Sequence, residues 1–183
     1  QVHVYNYSCE LSDPSNRKGL LSFLETIPED INLLINNAGI STFGLYASQS
    51  EAVITHQFQV NALYPLLLTR QFLAYFERKS IDGQIVNIGS TFGNIAYPGF
   101  TAYSASKFAL RGASEALSRE YADSNIRIRY FSPRATQTSL NSSNVVQMNK
   151  ALNVSMDNPD SVAQRFTGFL FSQKNQRSSV CWS

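Results

Sequence analysis

Apolar positions fall into two patterns along this chain. Short runs rich in Val, Ile, Phe and Tyr alternate with longer stretches in which apolar residues recur every three or four positions. The short runs predict strands at 2–7, 31–35, 85–88, 125–131 and 179–182, and the longer stretches predict helices. Residues 31–35 are continuously apolar, as expected for a strand buried on both faces. Asp13-Pro14 supplies an N-cap and a first-turn proline, opening a helix over 14–26. A long helix is predicted over 50–76, with Pro65 bending it or marking a boundary within it. Further helices are predicted over 101–122 and, capped by Asn158-Pro159-Asp160, to residue 171. Residues 132–157 are polar without a firm period, and read as a loop with at most one helical turn. Alternating strands and helices of these lengths predict right-handed βαβ units. The fold class is therefore α/β: a doubly wound parallel sheet of Rossmann type, with helices on both faces. No internal repeat or linker divides residues 1–183, which read as one domain.

Ligands of such sheets bind beyond the carboxyl ends of the strands. The notable polar and small residues collect there. Asn37-Ala38-Gly39 follows one strand, Ser90 the next and Pro133 a third, while Tyr103 stands where the following helix begins. Tyr103 and Lys107 are four apart in Tyr103-Ser104-Ala105-Ser106-Lys107, so they share a helix face. An ammonium held there favours the phenolate, which predicts a lowered Tyr103 pKa and a proton donor or acceptor near neutral pH. The pair alone is weak. With nine Tyr and five Lys in the chain, it arises by chance about one time in four. Ser90, thirteen residues upstream, strengthens it by offering a hydroxyl to hold the oxygen on which the proton lands.

Composition narrows the function classes. The 183 residues are 43% hydrophobic and 15% charged, enough apolar material for a sizeable core. A net charge of +2 without a basic cluster points away from nucleic acid and anionic membranes. The longest apolar runs are far too short to span a bilayer. Cys9 and Cys181 make neither a disulfide framework nor a metal-ligand spacing, so a cytoplasmic setting is the default expectation. The three glycosylation sequons beginning at Asn6, Asn141 and Asn153 read as coincidental. Gly89-Ser90-Thr91-Phe92-Gly93 lacks the glycine two before the serine that a hydrolase elbow needs. His3 and His56, the two candidate bases for such an enzyme, have no supporting motif. Phe92, Tyr97 and Phe100 either wall a pocket for an apolar substrate or simply pack a loop against the sheet.

Taken in order, these motifs resemble the short-chain dehydrogenase/reductase family. Asn36-Asn37-Ala38-Gly39, Val60-Asn61, Ser90 and Tyr103-x-x-x-Lys107 stand at that family's spacing. The resemblance implies an NAD- or NADP-dependent oxidoreductase acting on a small-molecule alcohol/carbonyl pair. It implies Tyr103 as general acid/base, Lys107 as the residue tuning it and binding the nicotinamide ribose, and Ser90 orienting the substrate oxygen. Asn61 would help hold a water relaying protons to Lys107. Cofactor contacts would come from Glu10, Leu11, Asn37, Ala38, Gly39, Val60, Tyr103, Lys107, Pro133, Thr136 and Thr138. No metal site is expected. Arg134 follows Pro133 where the family usually has Gly; it is either a surface variant or a cation near cofactor phosphates or an acidic substrate. The Gly-rich pyrophosphate turn is absent from these residues, so further residues are expected before Gln1 and after Ser183, and a mass above 20.4 kDa. If the chain were whole, a non-catalytic binding protein on the same fold would gain ground. The apolar helices 50–76 and 101–122 predict a homodimer or homotetramer.

Overall fold

The computed structural model describes residues 3–172. Three strands, β1 (Leu33–Asn36), β2 (Gln84–Ile88) and β3 (Arg127–Phe131), form one parallel sheet in the order β1-β2-β3. Leu34 pairs with Ile85, and Ile85 with Ile128. Among the described residues, six α-helices accompany the sheet: α1 (Pro14–Leu24), α2 (Glu51–Phe58), α3 (Tyr64–Lys79), α4 (Thr101–Glu120), α5 (Ser143–Ala151) and α6 (Pro159–Phe171). Asp13, Ser50, Ser142 and Asn158 each accept a backbone N–H from the first turn of the helix that follows. Such caps contribute about 1 kcal/mol each.

The alternation of strand side chains decides what packs where. Leu34, Ile85 and Ile128 point to one face and join Leu24 of α1 and Leu68, Phe72 and Phe76 of α3 in the main core. On the other face, Phe131 packs against Phe166 and Phe169 of α6, with ring centroids 5.1 and 5.3 Å away. Helices therefore cover both faces, as the pattern predicts.

Four expectations change. Residues 3–10 form no strand. An isolated extended segment leaves its backbone groups without a ladder, and no strand among the described residues lies beside this one. Side chains tether it instead: His3 bonds Glu29 at 2.9 Å, and Tyr7 stacks on Phe23 at 4.9 Å. Second, β1 is buried on one face only; Ile35 is 40% exposed because no described helix covers it there. Third, the long helix is two, joined by a π-helical turn, Gln59–Leu63, just before Pro65. Fourth, the expected loop over 132–157 contains α5. Val145 and Met148 of α5 pack against an aromatic cluster around Phe100, so tertiary contact supplies a period too short to stand out in sequence. The strand expected at 179–182 lies outside the described residues. No described helix is long and apolar enough to cross a membrane.

Candidate active site

Backbone turns at the carboxyl ends of β1 and β2 bring the predicted residues together. Ser90 follows β2 and caps the tight turn Thr91–Gly93, accepting the Phe92 N–H at 3.1 Å. Tyr103 and Lys107 lie in the first two turns of α4, both buried. The Ser90 hydroxyl stands near enough to the Tyr103 phenol to favour its ionised form. The Lys107 ammonium donates to the Ile88 carbonyl at 3.0 Å, two residues before Ser90, and lies 6.0 Å from the centre of the Tyr103 ring. Gly39 closes the other side. A Cβ there would lie 3.4 Å from Asn61 Oδ1 and 3.5 Å from Lys107 Nζ, so Gly39, Asn61 and Lys107 meet at one point.

Asn61 sits in the π-helical turn and is fully buried. Its Oδ1 accepts the Ile40 N–H at 2.8 Å; its Nδ2 donates to the Ile40 carbonyl at 2.8 Å and to Ser106 Oγ at 3.0 Å. The side chain is thus committed to holding the segment after β1 against α4. Gln57, one helical turn earlier, accepts the Thr42 N–H at 3.1 Å and extends the same seam.

The electrostatics depart from the sequence expectation. Burial pushes the Tyr103 phenol above its ordinary value, and the nearby Ser90 hydroxyl opposes this without overcoming it. Burial also pushes Lys107 down, to about 8. The expected lowering of Tyr103 by Lys107 is not found: desolvation of the phenolate dominates, and the ammonium is turned to the Ile88 carbonyl.

The remaining predicted residues spread around this cluster. Asn37 and Ala38 are exposed just past β1, and Val60 is half-buried in the π-helical turn. The Pro133 carbonyl accepts the Thr91 N–H at 3.2 Å, tying the loop after β3 to the Ser90 turn. Thr136 bonds the Arg134 carbonyl at 2.9 Å, and Thr138 is exposed further along. Arg134 reaches Ser155 at 3.3 Å. Glu10 and Leu11 are engaged locally: Glu10 accepts the Ser12 N–H at 3.0 Å, and Leu11 packs against the main core while its carbonyl accepts from Arg17. Phe92, Tyr97 and Phe100 pack on one another, and Phe92 and Phe100 meet Tyr103 edge-on. Phe43 adds to this wall, lying 5.0 Å from Phe100. Gly99 has φ of 80°, and a side chain there would strike the Phe43 ring. Sequence reasoning missed Gln57 and Ser106, whose signals were their spacings from Asn61 and Lys107. It also missed Tyr130, which only strand register brings to Ser90.

A parallel Rossmann-type sheet with Ser, Tyr and Lys converging beyond its strand ends defines the class: an α/β domain of the nucleotide-binding type. Comparison with known proteins narrows it further. A family model described as short chain dehydrogenase matches residues 1–149, and the chain belongs to that family. Nodulation protein G of Rhizobium sp. (strain N33) is 34% identical over 127 residues, covering 69% of this chain and 51% of the relative. The 3-amino-tetrahydro-pyrrolizinone reductase of Xenorhabdus hominickii is 32% identical over 181 residues, covering 97% and 63%. Among solved structures, 4-hydroxyisoleucine dehydrogenase complexed with NADH superposes with a TM-score of 0.78 at 26% identity, covering 93% of this chain and 72% of that one. The chain spans about half the length of several curated relatives that it matches.

Proposed function

We propose that the full-length protein interconverts an alcohol and a carbonyl with NAD or NADP, using Tyr103 as general acid/base. The observation that carries this reading is the convergence of Ser90, Tyr103 and Lys107 beyond the end of β2, with Lys107 one turn further along the helix that bears Tyr103. A relative in Schizosaccharomyces pombe, 33% identical over 134 residues, is named NADP-dependent 3-hydroxy acid dehydrogenase, and the neighbour described above was solved with NADH. Both support the choice of cofactor class.

The residues fit a dinucleotide. Exposed Asn37 and Ala38, and Gly39 with no Cβ before Asn61 and Lys107, leave room for close approach past β1. Val60, Pro133, Thr136 and Thr138 would line the same crevice, with Glu10 and Leu11 towards the adenine. Bound there, the nicotinamide would supply a hydride to the carbonyl carbon or accept one in the reverse direction. Ser90 Oγ holds the substrate oxygen. Tyr103, kept protonated by burial, gives its proton to that oxygen and is left as phenolate. Lys107 stands on the same helix face to stabilise that charge and to bind the ribose. The Asn61 side chain, bonded to Ile40 and Ser106, holds in place the segment that carries Gly39.

We also assign a homodimer built on α3 and α4. Phe72, Phe76 and Leu110 turn into the core, but Leu66, Ala113 and Leu117 rim an open groove between the two helices. Two such faces related by a two-fold axis would be self-complementary.

The test is Tyr103→Phe in the full-length protein, assayed with NADH and NADPH against an aldehyde and ketone panel. The ring is kept and the proton lost, so turnover is expected to fall about 10²-fold or more with the melting temperature little changed. Near-normal turnover in the variant would overturn the mechanism. No turnover by the unmodified protein, with dinucleotide still bound, would favour a non-catalytic binding protein.

A further inference from the structure

The turn that carries Ser90 is held in an unusual way. Glycines flank it at 89 and 93, and the same side chain occupies the space beside both. A Cβ on Gly89 would lie 2.0 Å from the Tyr130 hydroxyl and ring, and one on Gly93 would lie 2.3 Å from that hydroxyl. The Tyr130 phenol therefore fills a slot that exists because two residues four apart have no side chains. A Cβ on Gly93 would also lie 3.1 Å from the Lys107 carbonyl oxygen, so the turn sits between Tyr130 and the backbone of α4. Tyr130 is itself 8% exposed and stands opposite Asn87 in the β2–β3 register. Its hydroxyl accepts the Ser90 N–H at 3.3 Å. Below the turn, Asn94 donates to fully buried Ser132 at 3.2 Å and pins its far end to the residue that follows the strand bearing Tyr130.

We propose that Tyr130 is a positioning residue for the reaction: it sets where Ser90 stands relative to Tyr103 and Lys107. This rests on the oxidoreductase reading above. The argument is geometric. The backbone of a glycine-flanked turn is loosely determined by its own sequence. Ser90 Oγ must nevertheless meet both the Tyr103 hydroxyl and a substrate oxygen within hydrogen-bond reach. A bulky ring against both glycines, with a hydroxyl on the serine N–H, removes that freedom from one side while α4 removes it from the other. Tyr130 touches neither substrate nor cofactor in this role; it acts through Ser90.

The experiment compares Tyr130→Phe with the unmodified full-length protein. Benzaldehyde, cyclohexanone and diacetyl serve as carbonyl probes with NADH and NADPH. Hydrogen exchange of the peptide containing residues 89–93 gives a readout that needs no turnover. Tyr130→Phe keeps the ring and removes the acceptor. We expect faster exchange in that peptide and kcat lower by about tenfold, the scale of a small misplacement in a catalytic site. The KM for cofactor and the melting temperature should stay as they are; a general loss of structure would move all of them. A second arm tests the slot. Gly89→Ala should lower the melting temperature in the natural background and do so much less in a Tyr130→Val background. Unchanged exchange together with unchanged kcat in Tyr130→Phe would overturn the proposal, as would a Gly89→Ala protein as stable as the original. Loss of activity in Tyr103→Phe beside a fully normal Tyr130→Phe would remove this inference alone. Full activity in both variants would remove it and the catalytic reading together.

Discussion

Lys107 shows how a single residue couples the site to stability. Its ammonium is buried beside Tyr103, and burial lowers its pKa to about 8, against about 10.4 in an unfolded chain. Between those values the unfolded state holds a proton that the folded state has released. Stability of the ligand-free protein therefore rises with pH across that window, and the penalty is fully present below pH 8. Between pH 7.5 and 9.5 this group should contribute a rise of about 2 kcal/mol, at about 1.4 kcal/mol per pKa unit. Lys107→Met should remove that rise and be the more stable protein at pH 7.5. Urea unfolding of both proteins at the two pH values checks this, the difference between them isolating Lys107 from other titrating groups. Parallel slopes would mean that the buried amine is not perturbed.

Between elements, a buried polar ladder joins sheet to helices. Asn36 Nδ2 donates to Asn87 Oδ1 at 2.8 Å and to Thr69 Oγ1 of α3 at 3.0 Å; Asn87 Nδ2 donates to Ser114 Oγ of α4 at 2.8 Å. Asn87 and Ser114 have almost no exposed surface. The end of β1 is thereby registered against α3, and the end of β2 against α4, the helix that carries Tyr103 and Lys107. Asn87→Ala opens a cavity and strips partners from Asn36 and Ser114, so it should cost about 3 kcal/mol. Exposed Asn125→Ala should stay within about 0.5 kcal/mol of the original. Chemical denaturation of the two variants measures the contrast, and equal stabilities would mean that the ladder contributes nothing.

At the scale of the molecule, the α3–α4 groove is the feature that one chain leaves open. Leu66, Leu73, Ala113 and Leu117 line it, with Glu77 and Glu120 near its edge. Ala113→Glu would place a charge on the proposed two-fold interface, where burial without a partner is costly. The full-length protein should sediment as a dimer or larger at micromolar concentration, and the Ala113→Glu variant as a monomer of unchanged helical content. A monomeric unmodified protein would remove the interface assignment.

The parallel sheet, its helices and the cluster of Asn61, Ser90, Tyr103 and Lys107 were legible from the chain itself. Strand and helix periods, caps such as Asp13 and Asn158, and motif spacing are local properties that survive without knowledge of neighbours. Other features depended on contacts between distant residues. α5 forms where Val145 and Met148 find the aromatic cluster, while residues 3–10, with a β-rich composition, have no strand partner among the described residues. The direction of the Tyr103 shift also escaped the sequence. Spacing shows that an ammonium is near, but only the packed structure shows how completely the phenol is desolvated. Tyr130 makes the same point. Nothing within its own strand ties it to Ser90; the register of β2 on β3 does, because a parallel ladder sets residues forty apart in sequence beside each other.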